Sequence, residues 1–475
     1  MSEHFDLIVI GSGPAGGQAA AQAAGLGRRV ALVEREPYLG GAGLTTGTMP
    51  SKMLREAAVA LHTLRQRGQA SLHSTLQPGT RLADLMYNKA VVVEAAWGLI
   101  QRGQARANIH IVRGAAAFKD AHTVSVTSET EDGPAETELT GDVILVATGS
   151  TSIHPALFPF DHPQVRDSES VLNLERLPRA LVIIGGGPIG CEYAGIFNAL
   201  GVPVTLVESR ARVLPPVDSE LAQRWQRHLE HLGARFMLDE VVAGLTLPAE
   251  PGGDLQLALR GGETLAAEVV LVAVGRRGNA AALNLSAAGL TASEDGTLAV
   301  NDAFQTLVPH IYAAGDVAGW PALASTARAQ ARRAMAHAFE HAESARPDVY
   351  PLAVYTIPEV AMVGLSEDDC RAQGREYAVG RAYFENNPHA QITGDTSGMV
   401  KLVFAPADRR LLGAQLMCET ASDLIHLAAQ VLADGGTLDA FIQAVYNYPT
   451  LSEAYQAAAL DGLERWQQTH DPTAD

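Results

Sequence analysis

The chain has 475 residues, 47% of them apolar and 19% charged, with a formal net charge of −18 at pH 7. That is enough chain for two or three domains with sizeable cores, and too apolar a composition for a disordered polymer. The acidic balance argues against nonspecific nucleic-acid binding and against adsorption to an anionic membrane.

The N-terminal MSEHFDLIVIG enters a strand directly, with neither the basic n-region nor the apolar h-region of a secretory signal. No run reaches the roughly 18 uninterrupted apolar residues of a membrane span. The three cysteines, Cys191, Cys370 and Cys418, are odd in number and far apart. That usage suits a reducing cytoplasm and leaves no local CxxC or CxxxxC pair.

In chain order, residues 5–34 (FDLIVIGSGPAGGQAAAQAAGLGRRVALVE) predict strand, glycine turn, small-residue helix and a second strand. The turn is Gly11-Ser-Gly13-Pro-Ala-Gly16. Gly11 permits a tight turn, Gly13 lets backbone approach a pyrophosphate, and Gly16 allows close helix packing. The helix N-terminus adds free N–H groups, and Glu34 is placed to accept hydrogen bonds from ribose hydroxyls. Next come the glycine-rich LGGAGLTTGTMPSK (residues 39–52) and a polar stretch, 66–81, expected to be a loop or helical linker. VILVATGS (143–150) reads as a buried strand and turn that closes the unit.

Residues 180–208 (ALVIIGGGPIGCEYAGIFNALGVPVTLVE) repeat the first pattern. Gly185, Gly187 and Gly190 match Gly11, Gly13 and Gly16, and the same 18 residues separate Gly190 from Glu208 as separate Gly16 from Glu34. Glu208 favours a free 2′-hydroxyl, hence NAD(H). Arg210 and Arg212 follow it, and they either hold a 2′-phosphate, allowing NADP(H), or form a solvated loop. VVLVAVGRR (269–277) closes this copy. HIYAAGDVAG (310–319) adds a strand and turn with Gly315 and Asp316, and an Ala-rich helix is expected over Ala322–Glu340. Residues 341–350 read as a linker. Beyond it Val354–Val363, Met399–Phe404 and Leu411–Met417 are expected strands, Ser422–Gly435 a helix, and NYPTLSEAYQAAALDGLERW a proline turn and helix. The predicted class is α/β: two Rossmann-like doubly wound dinucleotide-binding units followed by an α+β domain.

Taken together, GSGPAG, LGGAGLTTGTMPSK, ATGS, GGGPIGCE, VGRR, AAGDVAG, YTIPEVAMVG and YPTLSE resemble the pyridine nucleotide–disulfide oxidoreductase family of dihydrolipoamide dehydrogenase, glutathione reductase and mercuric reductase, over essentially the whole chain. Within it, GTMPSK, GCEYAGIF, YTIPE, AQITG and NYPTLSEAYQAAALDGL are most similar to the soluble pyridine nucleotide transhydrogenases. The resemblance implies FAD and NAD(P) as cofactors. It divides the chain into an FAD-binding domain (1–150, first part), an NAD(P)-binding domain (151–271), a second FAD-binding or central part (272–345) and a dimerisation domain (346–475). It implies a homodimer and adds Ala116, Thr148, Gly149, Leu323, Ala324 and Gly275 to the cofactor-contacting set.

The resemblance also assigns roles. Asp316 is expected on the ribityl chain of FAD, with the following helix aimed at the flavin. Lys52 is expected near flavin N5, held by Glu192. The family's Cys-x4-Cys pair falls on Gly43 and Thr48, and its catalytic His on Tyr448, with Glu453 in the place of the orienting Glu. The transhydrogenases share Thr at the second position and Tyr in place of His, but keep a Cys where this chain has Gly43. A tyrosine, with a reference pKa of about 10, is a poor base at neutral pH, so Tyr448 is either a hydrogen-bond donor or a packing residue. Pro188 stands where some relatives have a gating Tyr. His389 and His426 read as structural or surface residues, and no metal-ligand cluster is seen.

The expected activity is an FAD-dependent NAD(P)H oxidoreductase without a redox disulfide, passing hydride to a second pyridine nucleotide. The alternatives are an NAD(P)H dehydrogenase, diaphorase or oxidase delivering electrons to quinone, dye or O2, and a flavin-bound redox sensor or scaffold with little turnover. Neither nucleic acid nor membrane is an expected partner.

Overall fold

The computed structural model describes residues 3–66, 76, 80–130, 133–250, 252–341 and 349–470. The expected linkers at 66–81 and 341–350 lie largely outside them. No described helix is long and apolar enough to cross a membrane. The chain forms two compact units, one of residues 1–53, 86–153 and 275–345, the other of 54–85, 154–274 and 346–475.

In the first unit the apolar run Glu3–Ile10 becomes a central parallel strand. Val30–Glu34 pairs on one side of it and the end of Gly133–Val146 on the other, with Ile311–Ala313 beyond. Strands buried on both faces need continuous apolar sequence, and these have it. The helices Pro14–Gly25 and Ala324–Ala338 share one core through Ala15, Ala19, Ala23, Ala327, Ala331 and Ala334, small residues that let helix backbones approach. The second unit repeats the plan, with Leu181–Ile184 between Val204–Val207 and Val269–Val272, all parallel. Pro188–Ala199 is the helix after its glycine turn.

Two features were not anticipated. Each α/β sheet carries a three-stranded antiparallel excursion before its closing strand. These are Ala115–Phe118, Thr123–Thr130 and the start of Gly133–Val146 in the first unit, and Val242–Thr246, Leu255–Leu259 and Thr264–Ala267 in the second. The expected strand Val354–Val363 is in fact two antiparallel strands, Leu352–Val354 and Glu359–Gly364. Pro358 lies between them, where a ring without an N–H cannot serve a central ladder. The remaining expected strands and helix occur as Met399–Phe404, Leu411–Cys418 and Ala421–Ala433. Five antiparallel strands, in the order Leu352–Val354, Glu359–Gly364, Leu411–Cys418, Met399–Phe404, Ala378–Tyr383, pack on Ala421–Ala433 and Glu453–His470. This is the α+β region, and with the two parallel sheets it makes the fold class the expected one.

Candidate functional site

The repeat is a repeat in three dimensions. A Cβ on Gly11 would lie 2.4 Å from Ala147 O, and one on Gly185 would lie 2.5 Å from Ala273 O. A Cβ on Gly16 would lie 1.8 Å from Gly11 O, and one on Gly190 would lie 1.9 Å from Gly185 O. Gly11 and Gly185 sit at φ +101° and +105°, where an L side chain is strained. By contrast, a Cβ on Gly13 or Gly187 meets nothing within 4 Å. These two glycines N-cap the helices without any side-chain cap. Each loop therefore offers open space beside uncapped helix-terminal N–H groups, which suits a pyrophosphate.

The strand-end carboxylates also correspond. Glu34 accepts from Ser12 N at 2.9 Å, Ser12 Oγ at 2.6 Å and Glu36 N at 2.9 Å. Glu208 accepts from Gly186 N at 2.6 Å and Arg210 N at 2.9 Å. Burial pushes the Glu208 carboxyl up, but hydrogen bonds from Arg210 and Gly186 outweigh it and hold it down at about 2. Ser12 was not singled out from sequence, although the repeat aligns it with Gly186. Its hydroxyl also accepts Gly40 N at 3.0 Å, joining the first glycine loop to the residue 39–52 segment.

The expected arginines are committed elsewhere. Arg210 Nε and Nη2 each lie 2.8 Å from Glu208. Arg212 donates to Val217 O at 2.8 Å and Pro215 O at 2.9 Å. Glu208→Ala removes the carboxylate that holds Arg210, so the ratio of kcat/KM for NADPH to that for NADH should rise about tenfold, the worth of one charge-assisted bond. Steady-state kinetics with both nucleotides checks this.

On the flavin side of the sequence reading, Thr148 Oγ1 is buried and has no hydrogen-bond partner among the described residues. Gly149 is at φ +69°, with nothing within 4 Å of a Cβ. Asp316 accepts Ser150 Oγ at 2.6 Å. Ser150 in turn receives Arg276 Nε at 2.7 Å on its hydroxyl and Arg276 Nη2 at 2.7 Å on its carbonyl. Gly275, at φ +138°, precedes this arginine. Gly315 N donates to Gln330 Oε1 at 2.8 Å, and Leu323 caps the helix beginning at Ala324. Ala116 lies on the excursion strand opposite Val126. Ser150 and Arg276 were missed as site residues, though VGRR and ATGS contain them. An unpartnered buried hydroxyl, an open left-handed glycine and an oriented carboxylate fit the polar chain of FAD.

Gly43 lies in the short helix Ala42–Thr45, and its Cβ position is 3.8 Å from Pro14 Cγ, an ordinary contact. A side chain fits there, so the missing cysteine is a chemical difference and not a steric one. Thr48 and the half-buried Lys52 open the helix Thr48–Gln66. All three cysteines are buried and unpaired. Burial pushes each thiol up, away from the reactive thiolate.

In the second unit Glu192 accepts Tyr355 N at 2.8 Å. Arg55, also missed from sequence, donates through Nε to Tyr355 O and Thr356 O at 3.2 Å and pairs with the buried Glu359 at 3.0 Å. The YTIPE segment is thus pinned by groups from two other elements. Tyr448 is 73% exposed. Glu453 accepts Thr450 N at 3.2 Å and so closes its own turn.

Two glycine cradles of one geometry, each at the carboxyl end of a parallel sheet, with an Asp316 turn beside one of them, define a two-dinucleotide oxidoreductase. Residues 5–331 match the pyridine nucleotide-disulphide oxidoreductase family and residues 350–459 its dimerisation domain. The chain belongs to this family and is a flavin-dependent oxidoreductase. It is 38% identical to the soluble pyridine nucleotide transhydrogenase of Mycobacterium bovis (strain BCG / Pasteur 1173P2) over 461 residues, covering 97% of each chain. It is 39% identical to that of Aliivibrio fischeri over 473 residues, covering 98% of each. Among solved structures it is similar to the Cu(II) complex of the HOCl-induced flavoprotein disulfide reductase RclA from Escherichia coli, at 26% identity and a TM-score of 0.85, covering 97% of this chain and 99% of that one.

Proposed function

We propose that this protein is a pyridine nucleotide transhydrogenase that works without a redox disulfide, in a reducing cytoplasm. The observation that carries the reading is the combination of two intact dinucleotide cradles with three cysteines that are all buried, unpaired and remote in sequence from residues 39–52. The curated relatives cited above bear the same functional name. FAD, when bound, supplies a ring that takes a hydride from one reduced nicotinamide and gives it to an oxidised one.

The chain's part is positional. Gly11, Gly13 and Gly16 seat the FAD pyrophosphate, with Glu34 stiffening the loop through Ser12. Thr148, Gly149 and Asp316 hold the polar chain of the cofactor. Gly185, Gly187 and Gly190, with Glu208, seat the nicotinamide nucleotide. Lys52 brings an ammonium to the flavin, and Glu192 steadies it. Hydride moves as a unit, so no general base is required and Tyr448 can replace a histidine. The exposure of Val445 (99%) and Tyr448 (73%) in the dimerisation domain supports a homodimer that covers them.

The test is anaerobic reduction of the purified holoenzyme by NADPH, then transfer to a thio-NAD+ acceptor, beside a panel of quinones and O2. Turnover with thio-NAD+ is expected. Fast flavin bleaching with turnover only on quinone or O2 overturns the transhydrogenase reading. Gly43→Cys and Tyr448→Phe should each leave transhydrogenation within about twofold, since neither thiol nor proton transfer enters the reaction.

A further inference from the structure

The helix Ser219–His231 carries Arg224, Arg227, His228 and His231 at spacings of three, one and three residues, which is one face of a helix. In a chain of net charge −18, four cationic or titratable side chains on one stripe call for an explanation. All four line a cavity of about 450 Å³ within the second unit, closed on its other side by Tyr383 and Ser397. We propose that this cavity binds a small phosphate-bearing anion, at a site separate from both glycine cradles.

Three observations support the chemistry. First, among the described residues neither Arg224 nor Arg227 has a carboxylate within ion-pair distance, and Arg227 is exposed. The one carboxylate on the cavity wall, Glu220, is paired with Arg381 and Lys401, each at 2.9 Å. Second, Arg224 is pre-positioned. Its Nε donates to Ser397 O at 2.7 Å and its guanidinium lies 5.1 Å from the centre of the Tyr383 ring. Third, His228 Nε2 is buried with no hydrogen-bond partner among the described residues, a donor waiting for an acceptor when protonated. Favourable placement of cations at a helix C-terminus accounts for charge in the last turn. It does not account for a cavity in front of that charge or for an unsatisfied imidazole.

The wall also sets specificity. The Arg224 guanidinium lies over one face of the Tyr383 ring, so a base stacking on that face would have to displace it. The site reads a terminal phosphoryl group, which the phosphodiesters of NAD+ lack, and not what that group is attached to. The groups facing His228 are Arg224 and His231 on its own helix and His62 from the helix Thr48–Gln66, whose ring lies 6.3 Å away and feels Asp395. Burial first, then these cations, hold the His228 imidazole down at about 4. An anion beside it favours the protonated form, so binding moves the imidazole back toward its ordinary value.

The experiment is calorimetric titration of the FAD holoenzyme, saturated with NAD+ so that its cradle is occupied, in a phosphate-free buffer of low ionic strength. The probes are inorganic phosphate, pyrophosphate and AMP. Saturable pyrophosphate binding with a Kd near or below about 1 mM is expected, with AMP no tighter than phosphate. Arg227→Gln/His231→Gln should weaken it about tenfold or more, with FAD content and hydride transfer unchanged. Arg235→Gln, on the strand after the helix, is the control and should not weaken it. No saturable heat in the wild type, equal affinity in the double variant, or binding of AMP alone each overturns the proposal.

Discussion

Gly190→Val yields a protein that stays yellow and loses at least about a hundredfold in flavin reduction by NADH and NADPH. The reason is steric and local. Even one added carbon at Gly190 would lie 1.9 Å from Gly185 O, so the helix Pro188–Ala199 must move away from its glycine turn. That displaces Gly187, the open position beside the uncapped N-terminus. Gly185 cannot yield, since its own Cβ direction points at Ala273 O, 2.5 Å away. The loop proposed to seat FAD lies in the other unit, so the cofactor is expected to remain. Gly16→Val is the mirror experiment. There the clash is with Gly11 O at 1.8 Å, and FAD itself is lost. Flavin absorbance after gel filtration and stopped-flow bleaching at 450 nm, roughly the flavin maximum, separate the two. Gly190→Val protein that is reduced normally, or that is colourless, contradicts the assignment of the two loops.

Lys401→Met should be the most destabilising single change away from the cofactors. Lys401 is 1% exposed and its ammonium lies 2.9 Å from Asp218, 2.9 Å from Glu220 and 2.6 Å from Glu367. Removing it leaves the fully buried Asp218 without its cation and Glu220 and Glu367 to Arg381, and costs about 3–5 kcal/mol. The pH dependence has a definite sign. Burial is the largest influence on Glu220 and Glu367 and pushes both carboxyls up. The hydrogen bonds and charges of Lys401 and Arg381 outweigh it and hold both below the usual range. A depressed folded-state value contributes stability above the unfolded value, and this is lost as pH falls through the folded one. The gap in apparent unfolding temperature between wild type and Lys401→Met is therefore widest near neutral pH and narrows below about pH 4.5, as the orphaned carboxyls take up protons. Scanning calorimetry from about pH 3 to about pH 8 measures it. A constant gap would mean that Lys401 acts through packing alone.

The fold and the cofactor loops were legible because their requirements are short-range. Gly16 is demanded by a carbonyl five residues away and Gly11 by its own φ of +101°, and a β-branched apolar run such as LIVI, ended by a glycine turn, reads as a buried strand. The repeated spacing to Glu34 and Glu208 followed from the same local geometry. The antiparallel excursions were not legible. Pairing Thr123–Thr130 with Gly133–Val146 is a cross-strand matter, and its polar, alternating sequence reads equally well as loop. The split at Pro358 was a missed local signal, since a proline inside an expected strand demotes it.

By itself the sequence determined that two dinucleotides bind, that one helix follows each glycine turn, and that no cysteine pair exists to relay electrons. Only the tertiary structure decided what each charged side chain does. Arg210 neutralises Glu208 and Arg212 serves backbone carbonyls, although both read as candidate phosphate ligands. Lys401, in the ordinary-looking KLVF, is buried because Asp218, Glu220 and Glu367 converge on it from distant segments. Arg224, Arg227, His228 and His231 line one cavity, with Arg224 and His228 half-buried in it. Backbone sterics act over a few residues and are written in the local sequence, whereas the state of a charge depends on partners that only folding brings within about 4 Å.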